Sequence, residues 1–337
     1  MKRSHLWIII GISIFVVLII CVGFKETVFA LKKARLSYIF YGFLLTVLGQ
    51  QYFHFIKWII MLKRIGMKTK IRETFFISSY ILMSGIITPG RTGEFIIPFV
   101  IKEGKGMISS SVLFNRFIES FLTLLFAVII FLFVFDGFIA FKTLLLIGML
   151  FVCMYIILCV FVTKRRFESL IINIGNQLLL KLKRIRFLNV ILKKEERFAK
   201  EIESFYQSNR SLFSWNIIFS FIFLTMLTWV VMIGANYAFF LSVGIDVPFK
   251  IILAVMILGA IGMFLSPTPA GIGLGDIPPV YFLYLNGYRE NIGAFIIIVR
   301  VIVMTAAFLW YLLAAYFYYK KNNINKIRKL NKKHTDC

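Results

Sequence analysis

The chain has 337 residues, of which 60% are hydrophobic and only 16% charged, with 39 Lys and Arg against 15 Asp and Glu. A soluble domain carries about a quarter charged residues. Here the apolar excess is gathered into long blocks, which excludes a soluble globular enzyme and a disordered basic nucleic-acid binder. The formal charge of +24 therefore belongs between membrane spans, with no role for nucleic acid.

In chain order, Lys2 and Arg3 precede an apolar stretch from Leu6 to Phe24. It exceeds the roughly 7–15 residues of a signal-peptide core, and no small-x-small cleavage site follows, so it predicts an uncleaved span. Runs long enough to cross a hydrocarbon core of about 30 Å are expected at 6–24, 37–56, 115–135, 143–163, 215–243 and 292–319. Two further apolar regions, 74–101 and 249–286, are interrupted by Pro and Gly. Their first arms, Thr74 to Thr88 and Phe249 to Leu265, reach only roughly 22–26 Å as helices, so each region predicts a hairpin of two short arms.

Loop charges supply an orientation. Residues 57–73 hold six Lys and Arg, residues 164–213 hold twelve and the tail 320–337 holds seven; Lys2, Arg3, Lys102 and Lys105 bring that side to 29. Loops 25–36, 136–142, 244–250 and 287–291 hold seven. By the positive-inside rule the richer side, with both termini, is cytoplasmic. The first hairpin then enters from the cytoplasm and the second from the outside. The expected fold class is an all-α polytopic membrane protein with about six full spans and two Pro/Gly-broken hairpins in an inverted internal repeat. One membrane domain covers 1–337: a first half at 1–163, a basic cytoplasmic segment at 164–213, a second half at 214–319 and a basic tail at 320–337. Leu178 to Leu192 interleaves apolar residues with Lys181, Lys183, Arg184 and Arg186, a pattern suited to anionic lipid at the cytoplasmic face. A plain basic linker accounts for it equally well.

The repeat has matching parts. Pro89-Gly90-Arg91-Thr92-Gly93-Glu94 is followed by Arg116 in the next span. Pro267 and Pro269, with Gly271, Gly273, Gly275 and Asp276, are followed by Arg300 in the next span. Broken segments at corresponding positions of inverted halves point to a transporter binding site.

Subtracting both loop sets from the 39 basic residues leaves Arg91, Arg116 and Arg300, against Glu94, Glu119 and Asp276 at membrane depth. An unpaired charge there costs at least about 2.5–3.5 kcal/mol. Two readings stand: buried ion pairs that hold the hairpins to the spans, or a polar cavity for a charged headgroup. Gly90, Gly93, Gly271, Gly273 and Gly275 permit close approach of a ligand to the main chain. Thr92 is expected to N-cap the second arm of the first hairpin, and Asp276 that of the second, with Pro278 and Pro279 in its first turn. Each second arm would aim its N-terminus at the midplane, the first being the better anion site. The acids suit an amine or a proton.

Other chemistry finds no support. Cys21, Cys153 and Cys159 lie in apolar runs and Cys337 ends the chain; no CxxC occurs, and the histidines are His5, His54 and His334. No disulfide framework, metal site or cofactor is expected. No Ser-His-Asp set or P-loop is present, and His54 is expected at a membrane interface.

Pro89 to Glu94, the downstream Asn115-Arg116-Phe117-Ile118-Glu119, and the late Leu265-Ser266-Pro267-Thr268-Pro269-Ala270-Gly271-Ile272-Gly273 together resemble the lysylphosphatidylglycerol synthase membrane family, the flippase-like domain family. The family pattern ends in Gly-x-Glu, where this chain has Asp276 after Gly275. The resemblance implies a domain that moves lipid between leaflets of the bacterial cytoplasmic membrane, serving the cell envelope and resistance to cationic antimicrobial peptides. In two-domain members a soluble domain transfers lysine. Eighteen residues follow the last expected span, so the stand-alone form, without enzymatic activity, is expected. The substrates implied are an anionic or aminoacylated phospholipid or a polyprenyl-phosphate-linked glycan. A separate lipid-modifying enzyme or glycosyltransferase is the partner implied, and a non-transporting scaffold for it is the alternative function.

Overall fold

A computed structural model describes residues 3–88, 91–100, 104–134 and 189–335, with scattered positions between 143 and 157. The regular elements among these residues are all helices. Most of the expected span at 143–163 and all of 164–188 lie outside the described residues, as do Pro89 and Gly90.

Helix α1 runs Arg3–Lys33 and bends at Gly23, whose φ of 110° is open to glycine alone. It is longer than the expected 6–24, because Glu26 to Lys33 continues as helix with Lys32 and Lys33 in the last turn, where cations complement the carbonyl end. The second span is α2 (Leu36–Thr46), a π-helical turn (Val47–Tyr52) and α3 (Phe53–Arg64) in succession. It passes the expected end at 56 because Trp58, Met61 and Leu62 continue the buried face. Lys57, assigned above to a cytoplasmic loop, is thus inside a helix and only 2% exposed.

The first hairpin has α4 (Ile71–Ile87) as its first arm. Its return is a 3₁₀ turn (Thr92–Ile96) and the four-residue α5 (Ile97–Val100). Then α6 (Lys105–Val134) begins ten residues before the expected 115. After α7 (Asn189–Leu212), α8 (Trp215–Ser242) matches its expected span closely. The second hairpin is α9 (Phe249–Leu265), a glycine-rich turn and α10 (Ile277–Leu285). Finally α11 (Ile292–Thr335) carries the span and the basic tail as one helix. Segments Ile12–Lys33, Lys105–Ile129, Trp215–Ser242 and Ile292–Lys320 are long and apolar enough to cross a membrane. Outward side chains such as Val17, Ile20, Phe219, Phe223, Val230 and Leu309 are apolar and exposed, as lipid-facing residues are. The protein is a multi-pass membrane protein.

The packing follows the repeat. Among the described elements, each half reads leading helix, span, broken hairpin, long helix: α1, α2–α3, α4 with its return, α6; then α7, α8, α9–α10, α11. The two spans pack on each other, α2 on α8. Each hairpin's first arm packs on the other half's long helix, α4 on α11 and α9 on α6. The leading helices follow the same exchange, α1 on α11 and α7 on α6. Even the close approaches correspond. A Cβ on Gly106, second residue of α6, would strike the Glu201 carbonyl of α7; one on Gly293, second residue of α11, would strike the Thr27 hydroxyl of α1. In the core, Phe240 stacks on Phe295 at 3.8 Å between α8 and α11, and Phe114 meets Phe221 edge-on at 5.0 Å between α6 and α8.

Candidate functional site

In the first break the chain leaves α4 at Thr88, whose hydroxyl donates to the Ser84 carbonyl at 2.8 Å and accepts from the Gly93 N–H at 2.6 Å. Thr88 therefore makes the capping contact expected of Thr92, which instead opens the 3₁₀ turn. The chain reverses one residue before Thr92, at Arg91, with φ 58° and ψ 26°, a left-handed conformation costly for a residue with a side chain. Gly93 is required here because a Cβ would run into the Ser84 carbonyl. The result aims Glu94 inward at 1% exposure.

Around Glu94 and Glu119 stand three cations. Arg116 Nε donates to Glu94 Oε2 at 2.6 Å, Arg116 Nη2 pairs with Glu94 Oε1, and Arg116 Nη1 donates to Glu119 Oε2 at 3.1 Å. Arg91 Nη2 reaches Glu94 Oε1 at 2.8 Å and its Nη1 lies 3.9 Å from Glu119 Oε2. Lys57 Nζ donates to Glu119 Oε1 at 2.9 Å, beside Asn115 Nδ2 at 3.0 Å. Arg116 thus crosslinks the break to α6, and Lys57 ties α3 to Glu119. One turn before Lys57, His54 is buried and accepts from the Trp58 indole at 3.0 Å. His54 is therefore in the wall of the site, contrary to the interfacial position expected, because the π-helical turn and α3 carry the helix on past residue 56.

The second break repeats the plan with other parts. Ala270, at φ 54°, occupies the left-handed position that Arg91 holds in the first, followed by Gly271 at 68° and Gly273 at 80°. Arg300 donates from Nε and Nη2 to Asp276 Oδ1 at 2.9 and 2.6 Å, and from Nη1 to the Ala270 carbonyl at 2.7 Å. Asp276 stands at the N-cap of α10, but its carboxylate makes no cap bond: it takes Arg300 and the Gly273 N–H at 3.0 Å. Pro267 and Pro269 bracket Thr268, whose hydroxyl donates to the Ile272 carbonyl at 2.8 Å and closes the turn. Gly275 fits against α9, where a Cβ on Gly262 would sit 2.6 Å from its carbonyl.

Both breaks face one cavity of about 360 Å³. Its charged lining is Lys57, Arg91, Arg116, Glu119, Asp276 and Arg300, with Glu94 behind the two arginines. Gln50, His54, Ser120, Thr123, Thr225, Thr228 and Asn236 add uncharged polar groups, and Leu82, Trp229, Met256 and Phe264 are among its apolar walls. Thr92 and Gly93 shape the first break without lining the cavity. No group of three or more metal-ligating side chains occurs among the described residues.

The return of the first hairpin is a 3₁₀ turn that runs directly into α5, and around it the positive charge is carried by the side chains of Arg91, Arg116 and Lys57. Sequence reasoning missed Lys57 and His54, although Lys57 stands alone among Phe53 to Leu62 with apolar neighbours. It also missed Gly85, against which the Glu94 carboxylate folds, and Gly262, its counterpart in the second hairpin.

Comparison with known proteins agrees with the motifs. No curated protein and no solved structure matches the chain. The lysylphosphatidylglycerol synthase TM region family matches residues 8–324, a range that contains both breaks and both arginine-bearing long helices. The chain belongs to that family, the lysylphosphatidylglycerol synthase TM region.

Proposed function

We propose that the protein is a lipid translocase of the bacterial cytoplasmic membrane, in which the headgroup enters the cavity and the acyl chains stay among the apolar walls. One observation carries the reading: two broken hairpins, each with an acid bound to an arginine of the following long helix, converge on one cavity of about 360 Å³. That volume lies in the range of a small-molecule site. Breaks of this kind at membrane depth are tolerated where they line a cavity. Arg91, Arg116 and Arg300 meet phosphate, and Glu94, Glu119 and Asp276 set their positions. The substrate is an anionic or aminoacylated phospholipid or a polyprenyl-phosphate-linked glycan. The basic segments and both termini face the cytoplasm, where anionic lipid holds them. No lysine transfer by this chain is expected.

The test uses vesicles containing the protein and a headgroup-labelled lipid. Exchange between leaflets is faster with the wild type than in protein-free vesicles, and Arg91→Ala returns it toward the protein-free rate. Equal kinetics for all three preparations overturn the reading for that lipid. A second reading, a scaffold for a lipid-modifying enzyme or glycosyltransferase, draws on the anchoring of α7, where the Gly106 N–H donates to Glu201 Oε2 at 2.7 Å. It requires that neutralising Lys181, Lys183, Arg184 and Arg186 abolish copurification of the enzyme while Arg91→Ala leaves it intact.

A further inference from the structure

The charge balance of the cavity bears on which headgroup it takes, granted the reading above that it receives one. Four cations, Lys57, Arg91, Arg116 and Arg300, face three carboxylates, Glu94, Glu119 and Asp276. One positive charge is left over among the described residues. Unpaired charge away from water is costly, so the favoured occupant brings a single negative charge.

Every carboxylate oxygen already accepts at least one hydrogen bond. Glu94 Oε1 receives Arg91 and Arg116, and its Oε2 receives Arg116. Glu119 Oε1 receives Lys57 and Asn115, and its Oε2 receives Arg116. Asp276 Oδ1 receives Arg300 and its Oδ2 the Gly273 N–H. An entering ammonium finds each oxygen already bonded, and it raises the positive excess. On the donor side, Arg91 Nε is buried with no acceptor among the described residues.

Another part of the wall is polar and uncharged. Thr225, Thr228 and Asn236 recur at helical spacing on the face of α8 that lines the cavity, and Gln50 of the π-helical turn joins them. Thr225 Oγ1 and Gln50 Oε1 are buried and have no partner among the described residues. A hydroxyl and an amide oxygen without partners suit a ligand that carries hydroxyls.

We infer that the cavity selects a phosphodiester headgroup of net charge −1 bearing hydroxyls, a glycerol or a sugar, and discriminates against an aminoacylated headgroup. Binding is measured as the melting-temperature shift of the full chain in detergent, titrated with four short-chain probes: phosphatidylglycerol, phosphatidylmethanol, lysyl-phosphatidylglycerol and a polyprenyl phosphoglycoside. At least one hydroxylated anion is expected to bind about tenfold more tightly than the lysyl lipid, the scale of one charge-assisted hydrogen bond. Phosphatidylmethanol, anionic without hydroxyls, falls between. Thr225→Val, a near-isosteric change, closes the gap between phosphatidylglycerol and phosphatidylmethanol without lowering the ligand-free melting temperature by more than a few degrees. Whichever hydroxylated probe binds more tightly names the source. Equal or tighter binding of the lysyl lipid overturns the inference, as does the absence of a shift with every probe. If the selectivity appears but no bound lipid crosses the vesicle membrane, the inference stands and the translocase reading falls.

Discussion

Glu94 concentrates the stability problem of the site in a single side chain. It is 1% exposed and holds two guanidinium groups, so neutralising it strands buried positive charge. Glu94→Gln keeps the shape and is expected to cost roughly 3–5 kcal/mol, read as a lower melting temperature in detergent. The neighbouring Gly85→Ala works by contact. A Cβ there meets the Glu94 carboxylate, and that carboxylate, clamped by Arg91 and Arg116, has no room to retreat. The expected loss is about 1–3 kcal/mol. Gly259, on the α9 wall of the same cavity, has open space around its would-be Cβ. Gly259→Ala is therefore the control, neutral or stabilising by up to about 1 kcal/mol. Arg91, Glu94, Arg116, Glu119, Asp276 and Arg300 were legible in the sequence because a charge inside an apolar segment needs a reason. Lys57 was hidden by its position, since it begins a run of basic residues that otherwise flank the span. Gly85 and Gly262 were hidden because a glycine in an apolar helix signals nothing until its neighbour is known.

Among the elements, α8 and α9 were readable almost to the residue and α4 to within three residues, since apolar runs end at polar or Pro/Gly signals. The short second arm of the first hairpin was readable, but its opening as a 3₁₀ turn was not, because Glu94 folds back onto Arg116, a contact 22 residues away in sequence. The long helices test the packing. Gly106→Ala pushes a Cβ into a backbone carbonyl of α7, whereas Gly293→Ala pushes one into the Thr27 side chain of α1. Gly106→Ala is therefore expected to be the more damaging of the two. Thr27→Ala is expected to restore most of the melting temperature lost by Gly293→Ala, and a double-mutant cycle measures the coupling.

Over the whole molecule, the membrane class, the two hairpins and their pairing with arginine-bearing helices followed from hydropathy, Pro/Gly breaks and stranded charges. The exchange of hairpins between halves did not, because hydropathy assigns residues to the membrane without saying which helices touch. That exchange predicts the behaviour of a divided chain. Residues 1–163 and 164–337 made as separate polypeptides are each expected to be protease-sensitive, since α4 lacks α11 and α9 lacks α6. Coexpressed, they are expected to copurify and to regain lipid binding; a stable, lipid-binding first half by itself runs against this packing.

The exchanged contacts have the form of a two-fold interface: span meets span, while hairpin meets long helix and long helix meets hairpin. Such reciprocity is what two identical subunits produce when the same patch serves on both sides. One polypeptide here carries the geometry of a homodimer. A single hairpin-bearing unit able to insert in either direction would assemble the same enclosure from two copies, and joining those copies frees their sequences to diverge. Arg91 in one break against Ala270 in the other, and four cations against three carboxylates, are asymmetries that a pair of identical subunits cannot hold.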